Sequence, residues 1–159
     1  MTRPMRTGSS PSQRGQALVE FAFVSLILLL LFGGAFDLGR VWYGAIGLES
    51  AAREGALAAA SDPTAFVPGS PCDPLTNPII CRVIGEAAGS FVTIAPADVA
   101  VTCAPGPCTA KATAGDTVTV SLTGHFELVT PFVALFGGSH LTIHSTATAA
   151  RLLAPGATP

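Results

Sequence analysis

Few residues in this 159-residue sequence have the type and spacing to do chemistry. Four cysteines stand at 72, 81, 103 and 108, and three histidines at 125, 140 and 144. The spacings C-x₈-C and C-x₄-C, with histidines only far downstream, match zinc-ligand patterns poorly. An even cysteine count, all after residue 70, reads instead as two disulfides formed in an oxidising compartment. Three pairings are open, and the local one, Cys72–Cys81 with Cys103–Cys108, is preferred. His140 and His144 would make a metal pair on a helix, but on a strand they lie ~13 Å apart at ~3.3 Å per residue. No third ligand joins them, so a surface or edge role is expected, and His125 is isolated. No G-x-S-x-G, H-E-x-x-H or phosphate-cradling glycine loop occurs. No residue stands out as a catalyst, and the expectation is a non-enzyme without metal or cofactor.

Glu20 is the remaining candidate, because it sits near the start of an apolar run from Ala17 to Phe36. At ~1.5 Å per residue, 20 helical residues span about 30 Å, the thickness of a bilayer's hydrocarbon core. That is longer than the apolar part of a cleaved secretory signal. Arg3, Arg6 and Arg14 precede the run and Asp37 follows it. The positive-inside rule then leaves the N-terminus in the cytoplasm and exports the rest, as a single-pass protein of the cell membrane. A carboxylate facing lipid costs about 2–3 kcal/mol. Glu20 therefore either sits solvated at the cytoplasmic headgroup level or pairs with a positive group of another subunit, such as a free α-amino group.

Charge and composition narrow the classes further. Charged residues make up 11% of the chain, against roughly 25% in an ordinary soluble domain. Outside residues 1–15 there are five basic and ten acidic residues, a net −5, so no basic patch exists for nucleic acid.

The elements that must position these residues follow in order. Residues 1–15 form a basic leader expected to lack structure, and 16–36 form the transmembrane segment. Residues 37–60 extend the helix, 61–153 form the exported disulfide-bonded domain, and 154–159 are a tail expected to be disordered. In the extension, Leu38, Val41, Ala45, Leu48, Ala52 and Ala59 make an apolar face, with Arg40, Glu49, Arg53 and Glu54 on the wetter side. Gly47, Ala51, Gly55 and Ala59 form a row of small residues at every fourth position. Such a row admits close approach, either of the protein's own sheet, the favoured reading, or of another helix in a filament. Ser61-Asp-Pro63 ends the helix.

A proline-rich loop closed by Cys72 and Cys81 leads to a short helix from Pro78 to Ser90. Period-two alternation then predicts antiparallel strands around Val99–Val101, Thr117–Thr123 and Leu141–Thr148. Leu128 to Phe136 is apolar for nine residues, too short to span a membrane, and is expected to fold back on the sheet or cap the core. The fold class is α+β: a long N-terminal transmembrane and amphipathic helix, then a small antiparallel-sheet domain with a short helix.

Arg14-Gly-Gln-Ala-Leu-Val-Glu20, with a basic residue before the glycine and an apolar run after, resembles a type IV prepilin processing site. Together with Phe36-Asp-Leu-Gly-Arg40 and Ala51-Ala-Arg-Glu-Gly-Ala56, it looks like the TadE-like family of Tad pilus pseudopilins, over residues 14–60. Ser25 stands where many members have proline. The resemblance implies a pilin-like fold and cleavage between Gly15 and Gln16 by a prepilin peptidase. Glu20 becomes the fifth mature residue and the assembly charge. It further implies a membrane-anchored minor pilin or pseudopilin, with other Tad pilus subunits, the assembly machinery and membrane lipid as partners. The alternative is an uncleaved single-pass surface protein displaying a small binding or structural domain.

Overall fold

The computed structural model describes residues 11–110, 112–129, 138 and 140–152. The expectations for residues 1–10, for most of the Leu128–Phe136 run and for the tail lie outside these. The chain divides after Phe36 into two units, Met1–Phe36 and Asp37–Pro159. One helix, α1, Pro11–Ser61, contributes to both. It begins inside the stretch expected to lack structure, because proline at a helix start loses no hydrogen bond and arrives with the right φ. No further proline occurs until Pro63. There the chain turns through a 3₁₀ turn, Pro63–Ala65, whose cap Asp62 accepts from Thr64 N–H at 3.0 Å.

In the first unit α1 is apolar all round, and Leu18, Phe21, Leu26, Leu29 and Phe32 are each exposed. Ser25 does not break the helix; its hydroxyl donates to the Ala22 carbonyl at 3.0 Å.

In the second unit the helix has a buried stripe of Gly44, Leu48, Ala51, Ala52, Gly55, Ala56, Ala59 and Ala60. Its partners are α2, Pro78–Ala87, and a sheet. Asn77 stands at the N-cap position of α2, with no side-chain bond to the helix, and Pro78 opens it; Ile79, Ile80, Val83 and Ala87 bury one face. The helix stops short of Ser90, at a reversal where Gly89 takes φ +86°, a conformation glycine adopts without a Cβ clash. The sheet is antiparallel: β1, Val92–Thr93; β2, Val99–Ala104; β3, Thr117–Glu127; β4, His140–Ala150. β3 is central, with β1 and β2 along one edge and β4 along the other. Its register with β4 runs unbroken from Thr117↔Ala150 to Glu127↔His140.

Alternation decides which face meets the helix. Val118, Val120, Leu122 and Phe126 of β3 are buried, with Val99 of β2 beside them. Threonines 117, 119 and 123 take the opposite face, where Thr119 and Thr148 hydroxyls lie 2.8 Å apart across the ladder.

The small-residue row has an intramolecular purpose. A Cβ added to Gly47 would lie 2.4 Å from Ser90 Cβ, and one added to Gly55 2.6 Å from Val83 Cγ2 and 3.3 Å from Val120 Cγ1. Ala51 and Ala59 are fully buried. The row brings α1 against α2 and the sheet, so it is not open to another helix.

Two expectations for this helix are corrected. Leu38 is exposed, and its neighbour Asp37 is the buried residue. Arg40 is not on the wetter side: its side chain is 18% exposed and paired with Asp37. The face turns because an aspartate that finds an arginine and a backbone donor can occupy the interior in place of a leucine.

Candidate functional site

The sequence-expected site residues fall on separate elements. In the first unit, Gly15, Gln16 and Glu20 lie on consecutive turns of α1, all exposed. Gln16 Nε2 donates to Glu20 Oε1 at 3.1 Å, the i,i+4 contact that helical spacing allows. An added Cβ at Gly15 meets nothing within 4 Å. Glycine inside a helix costs about 1 kcal/mol relative to alanine, and no contact among the described residues requires it at 15; the same holds for Gly34 and Gly39. α1 is long and apolar enough to cross a membrane, and its most apolar window, of mean hydropathy 2.4, has no residue buried in the protein. A core helix of a soluble protein would be covered, and this stretch is not.

The cysteines join as Cys72–Cys81 and Cys103–Cys108, with Cα separations of 4.7 and 5.1 Å. Among the described residues none is free, and no group of three or more His, Cys, Asp or Glu is placed to hold a metal ion. His140 and His144 are exposed on β4, and His144 Nδ1 lies 3.1 Å from Thr123 Oγ1. His125 is not isolated: its Nε2 lies 3.2 Å from Asp98 Oδ2.

Three polar anchors escaped sequence reasoning. Asp37, 2% exposed, accepts from Arg40 at 3.4 Å, and its Oδ1 also accepts from Val129 N–H at 3.4 Å. The Arg40 guanidinium lies 5.0 Å from the ring centroids of both Phe91 and Phe126, where a cation is attracted to the ring face. Asn77, buried in the proline-rich loop, donates to the Val67 and Ser70 carbonyls and accepts from Val67 N–H. Arg151, just past β4, donates to the carbonyls of Cys108 and Ala110 and pairs with Asp116. It ties the second disulfide loop to the sheet. A D-L-G-R spacing of i,i+3 was the one available signal for the first; nothing in the sequence marks the other two.

Two carboxylates outside the membrane-type helix titrate low. The Thr113 N–H, then its hydroxyl, then the charge of Arg151 hold Asp116 below the ordinary 3.8. Asp73 is lowered chiefly by the Leu75 N–H, with help from Thr76. Both are turn-capping arrangements.

The fold and site thus define an α+β protein with a membrane-capable N-terminal helix and a small disulfide-bonded sheet domain. Residues 15–57 match the model of the TadE-like protein family, so this helical stretch is TadE-like, as the resemblance led us to expect. The match lies wholly within α1 and stops before both disulfides. No curated protein and no solved structure matches the chain.

Proposed function

We propose that the chain is a membrane-anchored minor pilin or pseudopilin that takes part in assembling a Tad-type pilus. A prepilin peptidase cuts between Gly15 and Gln16 on the cytoplasmic side, and the domain after the anchor is extracytoplasmic. Glu20, then the fifth residue, pairs with the new α-amino group of a neighbouring subunit while the apolar helix passes from lipid into the assembly.

The observation that carries this reading is the TadE-like match beginning at Gly15 itself. The open space around Gly15 supports it, since a glycine that the fold does not need is one an outside partner can require. Glu20 adds to it: an exposed carboxylate in an apolar helix, held by no cation of the described residues, is available to one from outside.

Sequencing the N-terminus of the membrane-bound protein tests the cut. A start at Gln16 is expected, and any other start removes this site. Gly15→Leu should accumulate at full length. If it instead behaves as the parent does, the chain is an uncleaved anchor displaying its domain. Glu20→Ala should be inserted and processed but absent from pili, and normal assembly would remove the charge-pairing role.

A further inference from the structure

At one end of the folded unit, large apolar side chains gather around the first turns of its helix and stay exposed. Leu38, Trp42 and Ile46 recur at i, i+4 and i+8, with Leu38 69% and Trp42 70% exposed. Tyr43 meets Phe91 edge to face at 6.0 Å, and Phe91 is itself 56% exposed. Val129, also exposed, is held at the same end by its hydrogen bond to Asp37.

Two features separate this end from scattered surface leucines, which need no explanation. First, Phe91 has φ +59°, a left-handed conformation that bulky residues avoid. The loop holds a strained aromatic ring outward, where water rewards neither the strain nor the exposure. Second, the charges of the helix's first turns are turned inward. Asp37 is buried against Arg40, and Arg40 lies between two rings. Glu127, opposite His140 in the β3–β4 register, is the exposed carboxylate at this end. The next exposed charges along the helix, Glu49 and Arg53, pair with each other. Apolar and aromatic area is on offer, with no basic patch.

We propose that this end of the folded unit seats in the lipid headgroup layer of the bilayer, with Trp42 and Phe91 as its interfacial anchors. The inference rests on the membrane anchoring proposed above. Helix length places the seat: the apolar run to Phe36 fills the hydrocarbon core, and the headgroup layer beyond is about 5–8 Å thick on each side. At ~1.5 Å per residue that is the next four or five residues, Asp37 to Val41; Trp42 follows directly, and helical side chains lean back toward the helix N-terminus, which is toward this layer. Tryptophan and tyrosine favour this level because an apolar ring and a polar N–H or O–H both find their medium there. With no net positive charge, the seat recognises the layer's mixed polarity rather than anionic lipid.

Trp42 is the chain's single tryptophan, so its fluorescence reads the seat directly. The full chain is reconstituted at high dilution into phosphatidylcholine vesicles, with flotation reporting anchoring and Trp42 quenching reporting depth. Headgroup-level spin-labelled lipid should quench Trp42 several-fold more than label at the acyl end, and acrylamide several-fold less than in the urea-unfolded chain. Adding anionic lipid should leave both unchanged. Phe91→Asp, whose side chain tolerates the left-handed conformation, should float equally but expose Trp42 to acrylamide. Floating protein with Trp42 fully open to acrylamide would overturn the seat and leave the anchor standing. A Trp42 shielded from acrylamide yet unquenched by lipid is covered by protein, and also overturns it. Protein that does not float refutes the anchor reading, and the seat with it.

Discussion

Residues 16–36 and 37–61 are written in similar letters and folded as one helix, yet they meet opposite environments. The first stretch is leucine- and phenylalanine-rich on every side and buries none of it in the protein. The second gathers most of its glycine and alanine into one buried stripe, with Ala51, Ala52 and Ala59 at zero exposure. The difference teaches that apolar content does not say what a helix packs against. Side-chain size and its periodicity do, because large residues all round suit a fluid solvent of lipid chains, whereas small residues in a row admit a close-packed partner.

The sharpest way to break this comparison is to put the same side chain at a glycine of the buried stripe and at the glycine just before the first stretch. Gly55→Leu drives a branched chain into Val83 and Val120 and should cost about 3 kcal/mol. Denaturant unfolding of the full chain in detergent, followed by near-ultraviolet circular dichroism, would show it. Gly15→Leu, in open space, should leave that unfolding curve unmoved while blocking the proposed cleavage.

The two acids of the helix make the next contrast. Asp37→Ala leaves Arg40 without its carboxylate beside Phe91 and Phe126 and should destabilise the folded unit by about 2–3 kcal/mol, near the lower limit for breaking a buried pair. Glu20→Ala should not change stability at all. Equal effects in the two variants would mean the helix is not divided as described.

Replacing Cys72 and Cys81 together by serine opens a loop of sequence separation 9 and should cost about 2 kcal/mol, read as a lower midpoint in urea. The loss should be modest because Asn77 still holds Val67 and Ser70. The smallest effect is in acid. Asp116 binds its proton less readily folded than unfolded, so the stability it lends is complete above its ordinary value of 3.8 and is lost as pH falls through the lowered one. Asp116→Asn should flatten the acid end of a stability–pH profile without changing its slope near neutrality, and an unchanged acid limb would contradict the assignment.

Much of this architecture was legible in the residues themselves. Strand alternation at Val118, Val120 and Leu122 placed β3, proline before an i,i+4 stripe placed α2, and the spacing of Gly47 to Ala59 placed the small-residue row. Leu38 was misplaced because neighbouring helical positions differ by about 100°, so a stripe that includes either residue 37 or 38 is equally periodic. Only the presence of Arg40 and Val129 N–H chose aspartate. Phe91 carried no signal, since its unusual backbone arises from the reversal between α2 and β1. Asn77 and Arg151 read as loop and tail residues until the chains around them were in place.

What the sequence determined by itself is the stretch Gly15 to Phe36. A run of large apolar side chains, one carboxylate and flanking arginines define a membrane-capable helix through length and charge alone, and length and charge are local properties. What only the tertiary structure decided is the other end of that helix: which of its faces is interior, which polar groups are paired, and which aromatics remain outside. Those depend on contacts between residues as far apart as Asp37 and Val129, and no local pattern encodes a partner 92 residues away.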